Sequence, residues 1–466
     1  MQIAILNGIY ADSIGEFRTA YPRNQIPVPK AQGISKGYLR PSDGILKGGD
    51  GPGIGRGGIN WNGVCYRVMG TKLVKVNIDG TTTTLGDVGG TTECTLDYSF
   101  DRLAVCSNGN FYYWDGSTLT QVTDTDLGAV IDFIWVDGYF LTTDGTYLVV
   151  TDLNDPTAVN PLKYGSSEVD PDSIKAVLKL HNEPYAINRY SIEAFQNIGG
   201  SFFPFQRISG ASINRGAIGT HACAVYQDAI AFVGGGRDES PAVWLGVNAQ
   251  TTKISTREID QILMTYNETE LSKTIVETKI DKSHEHLLIH LPDQTVVFDA
   301  AASKALGEFV WFTLDSGLYT PSRYRAKNLV WCYDKWLVSD PLSTQHGFLV
   351  DNISTHYGNQ IGWEFNTQIL YNEGKGAIVN SLEVVALPGH VPIGANPVIW
   401  TSYSNDGETW SNERSVNAGK QGYRDKRLAW FQMGSMNLWR IQKVRGTSDA
   451  HLSIARLEAE MEPLNA

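Results

Sequence analysis

Three things are scarce in this sequence of 466 residues: cysteine, positive charge and long apolar runs. The five cysteines are odd in number and have no C-x-x-C spacing, which argues against a disulfide framework and indicates free buried thiols in a reducing compartment. Asp and Glu total 50 against 38 for Lys and Arg, a formal net charge of -12. Proteins that bind nucleic acid through its phosphates carry clustered Lys and Arg, so this balance argues against that class.

Long apolar runs are also absent from the beginning of the chain. Residues 1–17 have no basic cluster and only short apolar runs, which predicts neither a signal peptide nor a membrane span. We therefore expect synthesis and folding in the cytoplasm. The hydrophobic content of 42% is high enough to exclude wholesale disorder.

One kind of hairpin is abundant. In LLIHLPDQTVVFDA, residues 287–300, apolar and polar residues alternate on both sides of Pro292-Asp293, as half-buried strands around a tight turn require. Hairpins of the same pattern begin at Val64, Leu103, Tyr139, Pro184, Ala229, Leu287 and Trp336. Repeats of about 40 to 50 residues with several strands each predict a β-propeller.

The chain around each hairpin is long enough for a four-stranded blade. A strand pattern precedes every hairpin, as in residues 131–138, and most hairpins are followed by another, as in residues 308–318. We therefore predict an all-β chain with a seven-bladed propeller, with six blades as the alternative. The seventh repeat lacks a fourth strand. We expect GYLRPSDGI, residues 37–45, to supply it and so to remove the exposed edges of the ring.

A glycine-rich stretch follows that segment. Residues 47–59, KGGDGPGIGRGGI, place Gly53, Gly55 and Gly58 in G-x-G-x-x-G spacing. A dinucleotide site needs a strand before this motif and a helix after it. Here a Pro precedes and a strand pattern follows, so we expect a flexible loop and no cofactor.

The pattern changes on either side of the propeller. Residues 1–36 are rich in Pro, Gly and polar side chains, which indicates an extended N-terminal arm lying over the first domain. The propeller is expected at residues 37–355, with a short helical insert at 255–277. Six longer alternating strands in residues 356–466 predict a C-terminal β-sandwich.

The helical insert carries a candidate interface. Ile259, Ile262 and Leu263 fall at helical spacing, and Asn267 with Glu270 has the pattern of a capping box that opens a second short helix. An apolar stripe normally packs on the core. A contact with a second subunit or a partner is the other interpretation, and both stay open on the sequence alone.

No group of residues indicates catalysis, a metal or a small-molecule substrate. His284, His286 and His290 share one face of a strand, but no fourth ligand is apparent, so we expect solvated histidines on an outer strand. The carboxylates are spread over the turns, with no recognisable pair of acid and nucleophile. YSNDGETWS, residues 403–411, nearly matches the Asp-box of sialidase-like propellers, and we interpret it as a hairpin turn.

Four motifs carry a resemblance to a known family. These are YPRNQIPVPK (21–30), GYLRPSDGI (37–45), GVCYRVMGTKLVKV (63–76) and HEHLLIHLPDQTVVFDAAASK (284–304). In this order they resemble the tail hub of short-tailed phages, also called the packaged-DNA stabilisation protein. Arg424, Asp425, Lys426, Arg427 and Trp430 stand in the D-K-R-x-x-W region of that family. The basic residues Arg424, Lys426 and Arg427 are a candidate interface, and a solvated face is the alternative.

The resemblance implies a structural virion protein and not an enzyme. It implies a homo-oligomer, a hexameric ring, that joins the portal-adaptor ring above to the tail needle below and binds tailspikes or fibres outside. Genomic double-stranded DNA would pass through its channel without sequence-specific binding, and no cofactor is implied. We expect a location in the virion tail after assembly in the host cytoplasm. The alternative is a propeller glycosidase or sialidase-like enzyme acting on surface polysaccharide.

Overall fold

The computed structural model describes residues 1–11, 18–20, 22–30, 33–153, 155–407 and 409–464. Strands dominate these ranges. The helices within them are short: α1 is Arg257–Met264, α2 is Glu268–Leu271 and α3 is Ala300–Leu306. Across the described residues, no helix is long and apolar enough to cross a membrane.

Seven small antiparallel sheets follow one another along the chain, as the hairpin repeat predicts. They confirm an all-β fold with a seven-bladed propeller. Blade 1 contains Gly55–Trp61, Val64–Met69, Lys72–Val76 and Thr82–Asp87. Blade 2 contains Thr95–Tyr98, Leu103–Ser107, Asn110–Trp114 and Leu119–Gln121. Blade 3 contains Asp132–Val136, Tyr139–Thr143, Tyr147–Asp152 and Asp155–Ser166. Blade 4 contains Ile174–Leu180, Glu183–Asn188, Ile192–Asn197 and Phe205–Arg207. Blade 5 contains Gly216–Ala217, Cys223–Tyr226, Ala229–Gly235, Ala242–Val247 and Gln250–Lys253. Blade 6 contains Ile275–Asp281, His284–His290, Thr295–Asp299 and Val310–Leu314. Blade 7 contains Lys327–Cys332, Lys335–Ser339, Gln345–Val350 and Gly44–Asp50.

Blade 7 is completed from the N-terminal side as expected, but only the end of the predicted segment 37–45 takes part. Its fourth strand is Gly44–Asp50, which pairs with Gln345–Val350, whereas Gly37–Pro41 pairs with strands of the C-terminal sandwich. The segment 37–45 is therefore split between the two domains. Leu39 and Ile45 are both fully buried, in the sandwich core and in the core between blades 6 and 7 respectively. Because Leu39 and Ile45 are buried in different cores, the segment 37–45 contributes to both domains.

The expectation of a flexible loop at residues 47–59 is wrong. Most of this stretch belongs to two strands, Gly44–Asp50 and Gly55–Trp61, joined by a short turn. Its glycines permit close packing: a Cβ on Gly49 would lie 2.2 Å from the carbonyl oxygen of Gly80. Glycine in a strand often marks such a close backbone approach, which sequence propensity alone reads as a loop.

The predicted C-terminal sandwich is confirmed as two facing sheets. One sheet contains Gly362–Asn366, Leu370–Tyr371, Val398–Ser404, Arg414–Asn417 and Trp439–Thr447. The other contains Ala377–Ala386, Leu428–Phe431, Ser435–Met436 and Ile454–Pro463, together with Gln2–Ile3, Gln25–Pro29 and Gly37–Pro41. Thus the arm contributes Gln2–Ile3 and Gln25–Pro29 to the sandwich, while Tyr10–Ala11 and Arg18–Ala20 pair with each other in a separate two-stranded sheet. Ile9 packs between blades 5 and 6 of the propeller, so the arm contacts both domains.

The propeller core is divided into seven apolar clusters, one between each pair of neighbouring blades. Between blades 2 and 3, for example, Phe111 and Phe133 meet edge to face with ring centroids 4.9 Å apart. Between blades 7 and 1, Val330 packs with Val74, so the ring is closed by the same kind of contact that joins its other blades. All five cysteines are buried free thiols.

Candidate functional site

The stripe on α1 lies inside the protein. Ile259, Ile262 and Leu263 are at most 2% exposed and belong to the apolar cluster between blades 5 and 6. The predicted capping box of α2 is confirmed, since the Asn267 side chain and the Glu270 side chain each accept the other's backbone N–H. Because α1 turns its apolar face inward, its three side chains offer no surface to a second subunit, and their use as an interface is corrected to core packing.

The basic segment is placed differently, on the surface of the sandwich. Residues 420–427 are exposed, and Arg427 forms a bidentate pair with Glu383 at 3.0 and 2.5 Å. Arg424 and Lys426 belong to the same loop. The structure therefore leaves Arg424 and Lys426 exposed, whereas Arg427 has an acidic neighbour within its own domain.

The three histidines lie on the second strand of blade 6, not on an outer strand. His286 and His290 are buried, and His284 is mostly buried. His290 contacts Thr295 at 3.0 Å and Glu277 at 3.1 Å, while His284 and His286 both approach Asp299. The expectation of solvated histidines is wrong because this strand is covered on both faces by neighbouring blades.

The propeller axis is narrow. A cavity of about 300 Å³ lies there, lined by residues from the first strands of the blades and from the turns beside them. At about 30 Å³ for each water, such a cavity holds on the order of ten water molecules. A sphere of the cavity's volume is only about 8 Å across, less than the width of about 12 Å of the DNA major groove alone, so this cavity has no room for a duplex.

Carboxylates around the axis join neighbouring blades by accepting hydrogen bonds. Asp132 of blade 3 accepts from the Thr95 hydroxyl of blade 2 at 2.6 Å and from the Val177 N–H of blade 4 at 2.9 Å. Asp97 accepts from the N–H of Trp135 at 2.6 Å. These bonds bridge first strands that make no β-ladder with each other.

Burial controls the charge of the central carboxylate. Asp132 is 4% exposed, and burial raises its pKa to about 6, although His221 and the bonds from Thr95 and Val177 oppose that rise. Asp97 likewise has a raised pKa because it is buried. We interpret these carboxylates as structural connectors, because each has bonding partners across a blade boundary.

A second polar cluster joins the two domains. The Asn24 amide donates to the carbonyl oxygen of Asp315, after the last strand of blade 6, at 3.0 Å and to that of Gly362, at the start of the sandwich, at 2.8 Å. The Asn24 side-chain oxygen accepts from the Asp315 N–H at 3.0 Å. Arg23 lies 3.5 Å from the Asp315 carboxylate, with both side chains almost fully buried. This short N-terminal segment therefore fastens propeller to sandwich.

The junction's ion pair is buried, and the two influences on its carboxyl group oppose each other. Burial raises the pKa of Asp315 to about 6, while Arg23 acts to lower it. Sequence reasoning missed this junction because Arg23 and Asn24 make no periodic pattern. The signal available was their position in YPRNQIPVPK, one of the motifs that carry the family resemblance.

These features define a class: a two-domain β protein in which a closed seven-bladed propeller is fastened to a β-sandwich by its own N-terminal strands. Family comparison agrees with both domains. The family model for the β-propeller of bacteriophage P22 Gp10 matches residues 1–354, and that for the β-sandwich of bacteriophage P22 Gp10 matches residues 362–462. The chain belongs to the bacteriophage P22 Gp10 family.

A curated relative extends over the same length. The tail hub protein gp10 of Salmonella phage P22 is 26% identical over 485 aligned residues, which cover 99% of each chain. Homology along both domains supports a structural tail protein, and it gives no support to the enzymatic alternative.

Solved structures with a similar outline are much more distant in sequence. BamB from Moraxella catarrhalis is 10% identical with a TM-score of 0.40, and covers 75% of this chain and 95% of its own. The Pan2 WD40 domain of Neurospora crassa is 8% identical with a TM-score of 0.43, covering 66% of this chain and 95% of its own. PorZ of Porphyromonas gingivalis, at 11% identity and a TM-score of 0.40, covers 80% of this chain, which spans 46% of PorZ. The fold assignment stands on the sheets and the family match.

Proposed function

We propose that this protein is the hub of a short phage tail: a structural ring that extends the portal-adaptor channel and helps to retain packaged DNA. The observation that carries this proposal is the relationship to a tail hub protein over 99% of both chains. Because the relationship includes the propeller, the sandwich and the N-terminal strands that join them, it concerns the whole architecture and not a propeller alone.

The narrow axis of the propeller bears on where DNA would travel. A cavity of about 300 Å³ on that axis leaves no passage for a duplex through one chain. This supports a DNA channel that runs between copies of the chain in the proposed ring of six. A homo-oligomer with cyclic symmetry makes such a channel because head-to-tail contacts close when the rotation between subunits divides the circle.

The partners follow from the same proposal. The ring binds the portal-adaptor ring on one side and the tail needle on the other, and it carries tailspikes or fibres outside. It assembles in the host cytoplasm and functions in the virion tail. Arg424 and Lys426 on the exposed sandwich loop are the proposed contacts with a neighbour, since charged loops favour orientation and encounter between partners.

Native mass spectrometry tests the assembly. We expect the purified protein to form a hexamer when mixed with the adaptor ring. The double variant Arg424→Ser and Lys426→Ser should weaken that assembly, whereas Lys36→Ser with Lys273→Ser, which removes the same charge from other exposed positions, should assemble normally. Monomers that persist with the adaptor would contradict the ring, and equal assembly by both double variants would contradict the basic loop as a contact.

The enzymatic alternative is tested on the same preparation. Incubated with surface polysaccharide of a susceptible host, the protein is expected to release no shorter saccharides. Shorter saccharides that no longer form when Asp132 and Asp97 are changed together to Asn would instead identify a glycosidase. The present bonding of both carboxylates to neighbouring blades argues for the structural role.

A further inference from the structure

Two histidines and one aspartate converge within blade 6. His286 and Asp299 are directly opposite each other on adjacent antiparallel strands. His284 lies two positions before His286, so it projects from the same face of its strand. The nearest ligand-capable atoms of the three side chains all lie within 4.8 Å of one another.

One carboxylate oxygen is shared by both rings. Asp299 Oδ2 lies 2.6 Å from His284 Nδ1 and 3.4 Å from His286 Nε2. The other oxygen, Oδ1, accepts a hydrogen bond from the N–H of Ala302 at 3.0 Å, which caps α3. The cap fixes the rotation of the carboxylate and leaves Oδ2 directed at the histidines.

His286 supplies a second, independent observation. Its side chain is 4% exposed, and its Nε2 atom is buried without a hydrogen-bond partner among the described residues. The separation of 3.4 Å from Asp299 Oδ2 is long for an N–H···O bond. A buried polar nitrogen left unsatisfied costs about 1–3 kcal/mol, and such groups in native proteins call for an explanation, one of which is a missing ion.

We propose that His284, His286 and Asp299 bind one divalent transition-metal ion of the Zn²⁺ type. Two imidazole nitrogens and a carboxylate oxygen suit this class of ion, since imidazole is a preferred ligand of Zn, Cu, Fe and Ni. Zn²⁺ holds nitrogen and oxygen ligands at about 2.0–2.2 Å. Three protein ligands leave a fourth position for water.

The two separations from Asp299 Oδ2 are close to those that coordination needs, and the ligand nitrogens of the two histidines lie within 4.8 Å of each other. Ligand atoms around a tetrahedral Zn²⁺ are about 3.3 Å apart, by the geometry of bonds of about 2.0 Å. Asp299 Oδ2 and His286 Nε2 already have a separation of 3.4 Å. His284 must withdraw by about 0.7 Å from Asp299 to reach the same spacing, and its side chain is 16% exposed, so it lies at the open side of the cluster.

The surroundings of the cluster fit a structural site. The ring of His286 packs edge to face against Phe312, with centroids 5.5 Å apart, which holds the ring and excludes water on that side. The metal would connect two strands of blade 6 and, through the Asp299 cap, the start of α3. Without metal the same groups form an ion pair: the hydrogen bond to Asp299 raises the pKa of His284, and burial opposes that rise.

Isothermal titration with ZnCl₂ distinguishes a metal site from a simple ion pair between the histidines and Asp299. The full-length protein, prepared without a polyhistidine tag and stripped with a chelator, is expected to bind one Zn²⁺ per chain and to melt at a higher temperature when loaded. Asp299→Asn keeps an oxygen for the α3 cap but removes the anionic ligand, and His284→Gln changes the most exposed of the three. Both variants should lose at least about 100-fold in affinity, more than the 10–100-fold typical of outer contacts.

His290→Gln is the matched control, because His290 lies on the same strand face and bonds to Thr295 and Glu277 instead. It should bind Zn²⁺ as the parent does. Co²⁺ should add a visible absorption band to the parent and to His290→Gln but not to His284→Gln. Absence of saturable binding by the parent would overturn the site, as would unchanged affinity in a folded His284→Gln variant.

Discussion

At the residue scale, the buried carboxylate of Asp132 makes the stability of the propeller depend on pH. Its pKa of about 6 lies above the ordinary 3.8, so the folded state binds the extra proton between those values. Stability from this group is therefore present below about pH 4 and is lost as pH rises through 6. At about 1.4 kcal/mol for each pKa unit, ionised Asp132 lowers the free energy of unfolding by up to about 3 kcal/mol at neutral pH.

Asp132→Asn tests whether the ionised carboxylate destabilises the protein at neutral pH. Asn keeps an acceptor for the N–H of Val177 and offers an N–H to the Thr95 hydroxyl, so we expect it to stabilise the protein by about 1–3 kcal/mol at pH 7.5 and to have little effect at pH 4. Urea unfolding at both pH values measures this. The control is Asp228→Asn, since the Asp228 side chain is 94% exposed, and it should change neither value. Destabilisation by Asp132→Asn at neutral pH would contradict the buried-charge argument.

Asn24 is the second residue with a distinct prediction. It adopts φ 54°, in the left-handed region that Asn and Gly tolerate best, and its amide joins blade 6 to the sandwich. Asn24→Gly removes the side-chain bonds, adds some backbone freedom to the unfolded chain, and should cost about 2–3 kcal/mol of unfolding free energy. Asn24→Ala adds backbone strain and should cost about 1 kcal/mol more.

Calorimetry distinguishes this junction from an ordinary surface turn. The two domains of the parent should unfold in one transition, and Asn24→Gly should separate it into two or lower it. A single unshifted transition in Asn24→Gly would show that the side-chain bonds at the junction do not couple the domains.

At the element scale, α1 is held by its buried face. Leu263 is fully buried between blades 5 and 6, whereas its neighbour Met264 is 61% exposed. Leu263→Ala should therefore lower the free energy of unfolding by about 2–5 kcal/mol, while Met264→Ala should change it by less than about 0.5 kcal/mol. Equal and small effects in denaturant unfolding would contradict the core assignment of the helix.

The closing strand Gly44–Asp50 is the other element with a sharp test. Ile45 bonds through its N–H and C=O to Thr355 and Tyr357 on one side, so the N–H of Leu46 points to the paired strand of blade 7. Leu46→Pro removes that donor and should destabilise the propeller by roughly 2–4 kcal/mol. Leu46→Ser, at a side chain 40% exposed, keeps the donor and should have a small effect.

Thermal melting with light scattering is the suitable measurement for the closing strand. Opening blade 7 exposes strand edges, which promote pairing between molecules, so Leu46→Pro should aggregate at a lower temperature than Leu46→Ser. Identical melting and scattering of the two variants would show that Gly44–Asp50 is not needed to keep the ring closed.

At the scale of the whole molecule, the charge suggests retention of DNA by geometry and not by affinity. Each chain carries a formal net charge of -12, and the proposed ring would multiply that value. A channel rich in Lys and Arg would hold phosphates with a steep dependence on salt, whereas an acidic one repels them. We expect the isolated ring to bind duplex DNA negligibly even at low salt, and virions without this protein to package genomes and then leak them.

Filter binding between about 50 and 200 mM salt measures the affinity of the isolated ring for duplex DNA. The DNA content of purified particles that lack the protein measures the leakage of genomes. Tight binding that falls steeply over this range would contradict the idea. So would particles that lack the protein and keep their full genome.

Some of this architecture is local in origin, and the sequence by itself determined it. The alternation in residues 287–300 and the turn at Pro292-Asp293 depend on neighbours a few positions apart, and they correctly predicted strands, hairpins and a repeated blade. The capping box at Asn267 and Glu270 is equally local. The helix α3 could also have been predicted, because Asp299 before an alanine-rich run and Gly307 after it are ordinary helix boundaries. It falls between the hairpin pattern, which ends at residue 300, and the strand pattern at 308–318.

Other features were decided only by tertiary structure, because a period of two tells which face of a strand is buried but not which strand it will pair with. Gly37–Pro41 and Gly44–Asp50 are both plausible closing strands by pattern, and the separate cores that receive Leu39 and Ile45 send them to different domains. The burial of His286 beside Asp299 has the same cause. Their strands are adjacent in blade 6, and the blades on either side close over both.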